Sequence, residues 1–126
     1  MLLVAVALAV AGGGYAFWYI TTPIVIARLP IEFEVELYLA SERDLRERIQ
    51  EVSGDVASLL LIGHNPGIAE LALQLAARGH PEALADMRHK FPTAALAELG
   101  VRAQRWRHFA RGCELASFVT PKQLSP

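Results

Sequence analysis

The stretch VASLLLIGHNPG, residues 56–67, decides the fold. It begins with a short apolar run that does not alternate with polar residues, which is typical of a strand covered on both faces in a parallel or mixed sheet. The run ends at a GHNPG turn, in which Asn65 suits the N-cap of a helix and Pro66 its first position. The sequence therefore predicts a strand over residues 56–62, followed at once by a helix, with His64 between them.

The segment before this stretch predicts another strand and another helix. Residues 31–39 alternate between apolar side chains and three glutamates, which predicts a strand with one solvated acidic face. A cation site is the alternative interpretation of that acidic face. Ser41 and Asp44 lie three residues apart, close to a capping box, and predict that a helix opens at Ser41. The glutamates are Glu32, Glu34 and Glu36, and the apolar stripe of the helix is Leu45, Ile49 and Val52.

After the GHNPG turn the pattern predicts a helix that ends at Gly79, then a short helix over residues 81–88. Strands follow over residues 93–99 and 114–119, and residues 101–111 predict a strand edge and turn. Together these elements predict a three-layer α/β/α domain from about residue 31, with His64 at the carboxyl end of a central strand. The buried stripe of the helix after GHNPG is predicted to be Ile68, Leu71, Ala72 and Leu75.

Composition limits the classes of protein that fit. The chain has 126 residues, of which 53% are hydrophobic and 20% charged, as expected for one small domain. A net charge of −1 argues against a generally basic nucleic-acid binder. Cys113 is the single cysteine, so the chain has no internal disulfide. Cysteine and histidine spacing does not fit a zinc site, so no metal site is predicted.

The apolar residues are concentrated at the start of the chain. Arg28 is the first charged residue, and residues 2–20 form a 19-residue run that is long enough to cross a membrane. A signal segment, a buried strand pair and a mis-started sequence are the alternatives. We therefore divide the chain into an apolar lead, residues 1–30, and an α/β domain, residues 31–126.

The place of His64 indicates an anion site. Ligands of open α/β sheets bind at the carboxyl ends of strands, where the N–H groups of a following helix favour an anion such as phosphate. An imidazole there can donate a charge-assisted hydrogen bond to a phosphoryl oxygen. A structural histidine is the alternative.

The LLLIGHNPG segment closely resembles the second conserved block of the histidine phosphatase superfamily, which has the phosphoglycerate mutase-like fold. The stretches KFPTAALA, residues 90–97, and FVTP, residues 118–121, are similar to the SixA-type phosphohistidine phosphatase branch. The resemblance covers about residues 31–124, which correspond to the C-terminal two-thirds of the family domain.

This resemblance implies a metal-independent phosphatase without a cofactor, cytoplasmic, that acts on phosphohistidine or on phosphate esters. In the family, a first histidine within an Arg-His-Gly motif attacks phosphorus, and a second histidine and two arginines surround the phosphoryl oxygens. His64 matches the second histidine, and Gly63 and Asn65 are the substrate-binding residues that the resemblance implies. The implied partners are phosphate, a phosphorylated protein or a phosphorylated small molecule, without nucleic acid.

The chain departs from the family pattern at its start. It contains neither Arg-His-Gly nor the Ser-Pro-x-x-Arg-x-x-x-Thr block, so the nucleophile is unknown and the family's first strand is expected to be missing. Residues 88–90, with sequence RHK, and the side chains of Arg105 and Arg107 are candidate replacements. A basic helix end and a solvated edge are the simpler interpretations of these residues.

Two functions stay open at this point. One is a phosphatase that is incomplete as given. The other is a non-catalytic remnant that binds phosphate at millimolar concentration at best, with a membrane contact through residues 2–20 as an additional possibility.

Overall fold

One mixed sheet of five strands organises the computed structural model, which describes residues 2–7, 31–109 and 112–125 and, of residues 2–7, the backbone alone. The strands are β1 (Leu2–Ala7), β2 (Ser58–Gly63), β3 (Ala76–Gly79), β4 (Leu96–Gly100) and β5 (Cys113–Val119). The helices are α1 (Glu42–Gln50), α2 (Gly67–Leu75), α3 (Pro81–His89) and the short α4 (Pro121–Leu124). Two 3-10 turns, Val35–Leu37 and Trp106–His108, complete the described elements. The predicted α/β class is confirmed.

The order of the sheet is β2-β1-β4-β5-β3. β1 pairs with β2 in parallel and with β4 in antiparallel fashion. Ala7 lies opposite Gly63, so the carboxyl ends of β1 and β2 lie side by side. His64 follows Gly63 directly and therefore lies at this edge of the sheet.

Two expectations about the sheet were wrong. A strand does precede residue 31, because β1 pairs on both sides within the sheet. β2 is the edge strand of the described sheet instead of a central one, and Leu60 is 43% exposed. Every residue of β2 is exposed or half-buried, so the apolar run showed neither that the strand is covered on both faces nor which strands flank it.

The strand predicted over residues 31–39 is also wrong. Residues 31–34 have no regular structure, and a 3-10 turn follows over Val35–Leu37. Turn hydrogen bonds replace the sheet ladder: the Leu37 amide donates to the Glu34 carbonyl, and the Tyr38 amide donates to the Val35 carbonyl. Alternation makes a strand only where a neighbouring strand accepts and donates the backbone hydrogen bonds.

The helices follow their local signals closely. Ser41 and Asp44 form the predicted capping box of α1, and Leu45 and Ile49 are buried. The predicted stripe of α2 is buried in full. α2 ends at Leu75, however, and β3 occupies the four residues up to Gly79, so the predicted helix end at Gly79 was wrong.

The apolar side chains pack into one core cluster between the helices and the sheet. Trp106 is fully buried in it, and its indole N–H donates to the carbonyl of Val56 at 2.7 Å. Residues 106–108 therefore form a 3-10 turn around a buried ring, and within the described residues 101–109 the predicted strand edge was wrong. Cys113 is buried as well, and burial raises the pKa of its thiol.

The predicted membrane span falls largely on residues that the structure does not describe. Its first part, Leu2–Ala7, is β1, and residues 8–20 lie outside the described ranges. None of the described helices is long and apolar enough to cross a membrane.

Candidate functional site

His64 is held at the junction between β2 and α2. Its side chain is half-buried, and its backbone carbonyl accepts a hydrogen bond from the amide of Ile68 at 3.1 Å. Ile68 is fully buried in the core. This bond couples the position of His64 to the best-packed part of α2.

The first turn of α2 offers backbone donors beside His64. Glu70 donates to the carbonyl of Pro66, whereas the N–H groups of Gly67 and Ala69 have no hydrogen-bond partner among the described residues. Unpaired N–H groups at the start of a helix attract anions, because they point outward and carry the positive end of the helix dipole. The junction therefore combines an imidazole with two backbone donors.

Asn65 does not form the N-cap that the sequence predicted. It does not cap α2, which begins at Gly67 with Pro66 at the N-cap position and no side-chain cap. The Asn65 side chain donates to the carbonyl of Phe91 at 3.1 Å. This hydrogen bond ties the GHNPG turn to the start of the KFPTAALA stretch and places the chain at Lys90 near the turn. The two segments that resemble the family are therefore in contact.

The two glycines of the GHNPG turn differ in whether a larger residue would fit in their place. A Cβ atom at Gly63 would make only ordinary van der Waals contacts, the nearest at 3.6 Å from Ile68. A Cβ atom at Gly67 would collide with the carbonyl oxygen of Ala40. Gly67 therefore allows the backbone before α1 to lie directly against the start of α2, whereas Gly63 is not required sterically.

This close approach brings Tyr38 to the site, a residue that the sequence did not indicate. The rings of Tyr38 and His64 lie 5.2 Å apart between centroids, at an interplanar angle of 80°. The Tyr38 side chain is 66% exposed. Nothing in the sequence indicated this contact, because the alternating pattern of residues 31–39 predicted that Tyr38 belongs to a strand.

Hydrogen bonds and ion pairs hold the segment that carries Tyr38. Before it, Arg48 donates to both carboxylate oxygens of Glu34, at 2.7 and 2.8 Å, and also bonds Glu32. The hydrogen bond with Arg48 lowers the pKa of Glu34. After it, the hydroxyl and the amide of Ser41 donate to Asp44 and lower the pKa of that carboxyl.

Glu32 and Glu34 therefore form ion pairs with Arg48, and they belong neither to a solvated strand face nor to a cation site. Across the described ranges, histidine, cysteine, aspartate and glutamate side chains do not cluster in any group that could hold a metal ion.

The candidate replacement arginines lie elsewhere. Arg105 and Arg107 line a cavity of about 440 Å³ next to Trp106, which bonds to Val56 just before β2 begins. His64 follows the other end of β2, a strand about 20 Å long at roughly 3.3 Å per residue. Residues 88–90 are the exposed basic end of α3, as the simpler interpretation expected, and of these candidates only they lie near the GHNPG turn, next to Phe91. In the described part of the chain, no arginine bonds to the GHNPG turn.

The sequence was compared with family models and with the sequences of known proteins. The chain matches no protein-family model. It is 33% identical over 95 residues to an uncharacterized protein of Mycobacterium leprae and 35% identical over 96 residues to one of Mycobacterium tuberculosis. These matches cover 74% of this chain but 58% and 60% of the two relatives, so the chain spans about three-fifths of the length of the curated relatives it matches.

A solved structure shares the fold. The chain superposes on a structure described as "Putative Phosphohistidine Phosphatase SixA from Nakamurella multipartitia" with a TM-score of 0.70, over 95% of both chains and with 18% sequence identity. The chain therefore shares the fold of that structure, which is of the phosphoglycerate mutase-like type.

Proposed function

We propose that this protein binds a phosphoryl group at His64, carried by a phosphorylated histidine or by a phosphate ester. The observation that supports this proposal is the position of His64. It lies at the carboxyl ends of two parallel strands and directly before α2, in a fold shared with a protein described as a phosphohistidine phosphatase.

The groups at the junction suit a phosphoryl oxygen. A protonated imidazole donates a charge-assisted hydrogen bond, which is worth about 1.5–3 kcal/mol. The N–H groups of Gly67 and Ala69 supply further donors that need no side chain. Gly63 and Asn65 position these groups: Gly63 ends β2, and Asn65 fixes the turn on Phe91. In this proposal His64 and the start of α2 contact the substrate directly, without a metal or cofactor.

Binding without turnover is the activity that the sequence supports for this polypeptide. The Arg-His-Gly motif would follow β1, but the sequence there reads Leu8, Ala9 and Val10. Two missing arginines would cost about 3–6 kcal/mol of charge-assisted hydrogen bonding, which corresponds to roughly two to four decades of affinity. We therefore expect a dissociation constant for phosphate in the millimolar range.

The proposal is tested by titrating inorganic phosphate into the purified chain while the ring signals of the histidines are followed by NMR. The His64 signals should shift and saturate at millimolar phosphate, because a phosphoryl oxygen at the junction contacts the imidazole directly. In His64→Ala the backbone amide signals of Gly67 and Ala69 should no longer respond to phosphate, whereas in His80→Ala, at the N-cap of α3, they should respond as in the wild type. Unmoved His64 signals at high phosphate would refute the proposal.

Hydrolysis is the second candidate, favoured by the shared fold. It would require a nucleophile that the resemblance does not assign. Release of phosphate from an aryl phosphate or from phosphohistidine, lost in His64→Ala, would establish it. Trapping a phosphorylated histidine would then identify the nucleophile among His80, His89 and His108. The cytoplasmic location, the absence of nucleic-acid binding and the membrane contact through residues 2–20 stay predictions.

A further inference from the structure

Tyr38 is the exposed aromatic side chain next to the proposed phosphate contact. Its ring meets that of His64 in an edge-to-face arrangement, with centroids 5.2 Å apart, while two-thirds of the Tyr38 side chain stays accessible to solvent. Large apolar rings gain free energy when another ring covers them, and ring pairs at 4.5–7 Å are favourable. Because the Tyr38 ring contacts His64 and is still largely exposed to solvent, it is positioned to contact a ligand that binds at His64.

The backbone is shaped to hold Tyr38 in this position. The Tyr38 amide donates to the carbonyl of Val35 at 3.1 Å, which closes the 3-10 turn. Leu39 follows with a positive φ of 55°, a conformation that is uncommon for residues other than glycine. A residue stays in such an uncommon backbone conformation only where several neighbouring contacts hold it there.

Contacts on both sides of the turn supply that constraint. Ala40 lies against Gly67 so closely that a Cβ atom would not fit between them. The pair of Arg48 with Glu34 fixes the chain before the turn, and the capping box of Ser41 fixes it after the turn. Tyr38 is thus held over His64 by three separate contacts, although its own ring is largely exposed.

We infer that Tyr38 is a specificity-determining residue that favours phosphoryl groups carried by a planar aromatic ring over those carried by an aliphatic chain. This inference rests on the proposed function, because it requires the phosphoryl group to lie at His64. The phosphate would contact His64 and the start of α2, and the ring of the carrier would pack on the open side of Tyr38. Aromatic pairs of this kind are worth about a threefold to tenfold change in affinity.

The test compares three probes on the full chain: inorganic phosphate, phenyl phosphate and glycerol 2-phosphate. Dissociation constants are measured from the His64 ring signals by NMR. In the wild-type protein, phenyl phosphate should bind about threefold to tenfold more tightly than glycerol 2-phosphate. Tyr38→Leu should remove this preference and leave the constant for inorganic phosphate unchanged, whereas Tyr38→Phe should retain the preference because it keeps the ring.

Phe33 provides the matched control. It is an aromatic residue of the same segment, 91% exposed, and its ring does not pair with that of His64. Phe33→Leu should therefore leave all three constants unchanged. An equal loss of preference in Phe33→Leu, or a preference that survives Tyr38→Leu, would overturn the inference while phosphate binding at His64 stands. Failure of inorganic phosphate to move the His64 signals would overturn the proposed function and this inference together.

Discussion

The chain from β2 through His64 into α2 lies against the core, whereas the segment that faces it, residues 31–40, lies on the surface. Ile68 and Leu71 are fully buried, but Phe33 and Val35 are 91% and 83% exposed. Apolar burial stabilises the first region, and hydrogen bonds and ion pairs hold the second. The two sides of the site should therefore respond differently to substitution. Substitutions on the buried side should lower the free energy of unfolding, whereas substitutions in residues 31–40 should change the surroundings of His64 with little loss of that free energy.

The largest effect is expected at the buried side. Ile68→Ala should lower the free energy of unfolding by about 2–5 kcal/mol, because it removes a fully buried side chain and leaves a cavity. Urea unfolding followed by circular dichroism measures the change. Leu73→Ala, on the same helix at 37% exposure, should cost under about 1 kcal/mol. Equal losses would contradict the packing of α2 on the sheet.

A second effect tests the contact between the two regions. Gly67→Ala should lower the free energy of unfolding by about 1–3 kcal/mol, because the new methyl group overlaps the Ala40 carbonyl. Gly63→Ala is the matched control in the same turn and should change stability by about 0.5 kcal/mol or less, since its Cβ meets only ordinary contacts. If both variants are equally stable, Ala40 does not lie against α2.

A third, smaller effect is expected at the cap of α1. Ser41→Ala removes both the side-chain acceptor for the Asp44 amide and a hydroxyl donor to the Asp44 carboxylate, and should cost about 1 kcal/mol of unfolding free energy. Ser58→Ala, an exposed serine that caps no helix, should be neutral. A neutral Ser41→Ala would show that the cap does not contribute.

The same cap predicts a pH dependence. Hydrogen bonds from Ser41 favour the carboxylate of Asp44 and lower its pKa below the ordinary value for aspartate. A lowered pKa gives stability that is present above the ordinary value and is lost as the pH falls through the lowered one. The difference in stability between wild type and Ser41→Ala should therefore be larger at pH 6 than at pH 2.5, as measured by urea unfolding at both pH values.

The smallest effect on stability is expected at the surface ion pair. Glu34→Gln should lower the free energy of unfolding by well under 1 kcal/mol, because both partners are partly solvated, and the loss should shrink further in 0.5 M salt. The NMR signals of the Tyr38 ring should nevertheless shift, because Arg48 no longer fixes the chain before the turn. Glu36→Gln makes the same charge change at an exposed residue and should leave those signals unmoved. The reverse pattern would refute the role given to Arg48.

Local signals account for the elements that the sequence predicted well. Ser41 and Asp44 identify the start of α1 because a cap forms between residues three positions apart. The stripe from Ile68 to Leu75 identifies α2 because helical spacing is repeated within nine residues. His64 was identified in the same way, since it stands directly between a strand and a helix.

The failures share a different cause. Residues 31–39 have the alternation of a strand, but in the structure their backbone bonds within turns. Asn65 is a good N-cap by residue type, but its side chain bonds to Phe91, which lies 26 positions further along the chain. Neither outcome is encoded by the neighbouring residues, because each depends on which distant segment offers a hydrogen-bond partner.

By itself the sequence determined a strand, a turn and a helix around His64, because caps, apolar spacing and turn residues act over a few positions. Only the tertiary structure decided that β1 lies beside β2, that β2 lies at the edge of the described sheet, and that Arg105 lies near the opposite end of that strand. It also decided that Tyr38 contacts His64, through the approach of Ala40 to Gly67. These features arise from contacts between residues far apart in sequence, whose partners are selected by the packing of the whole chain.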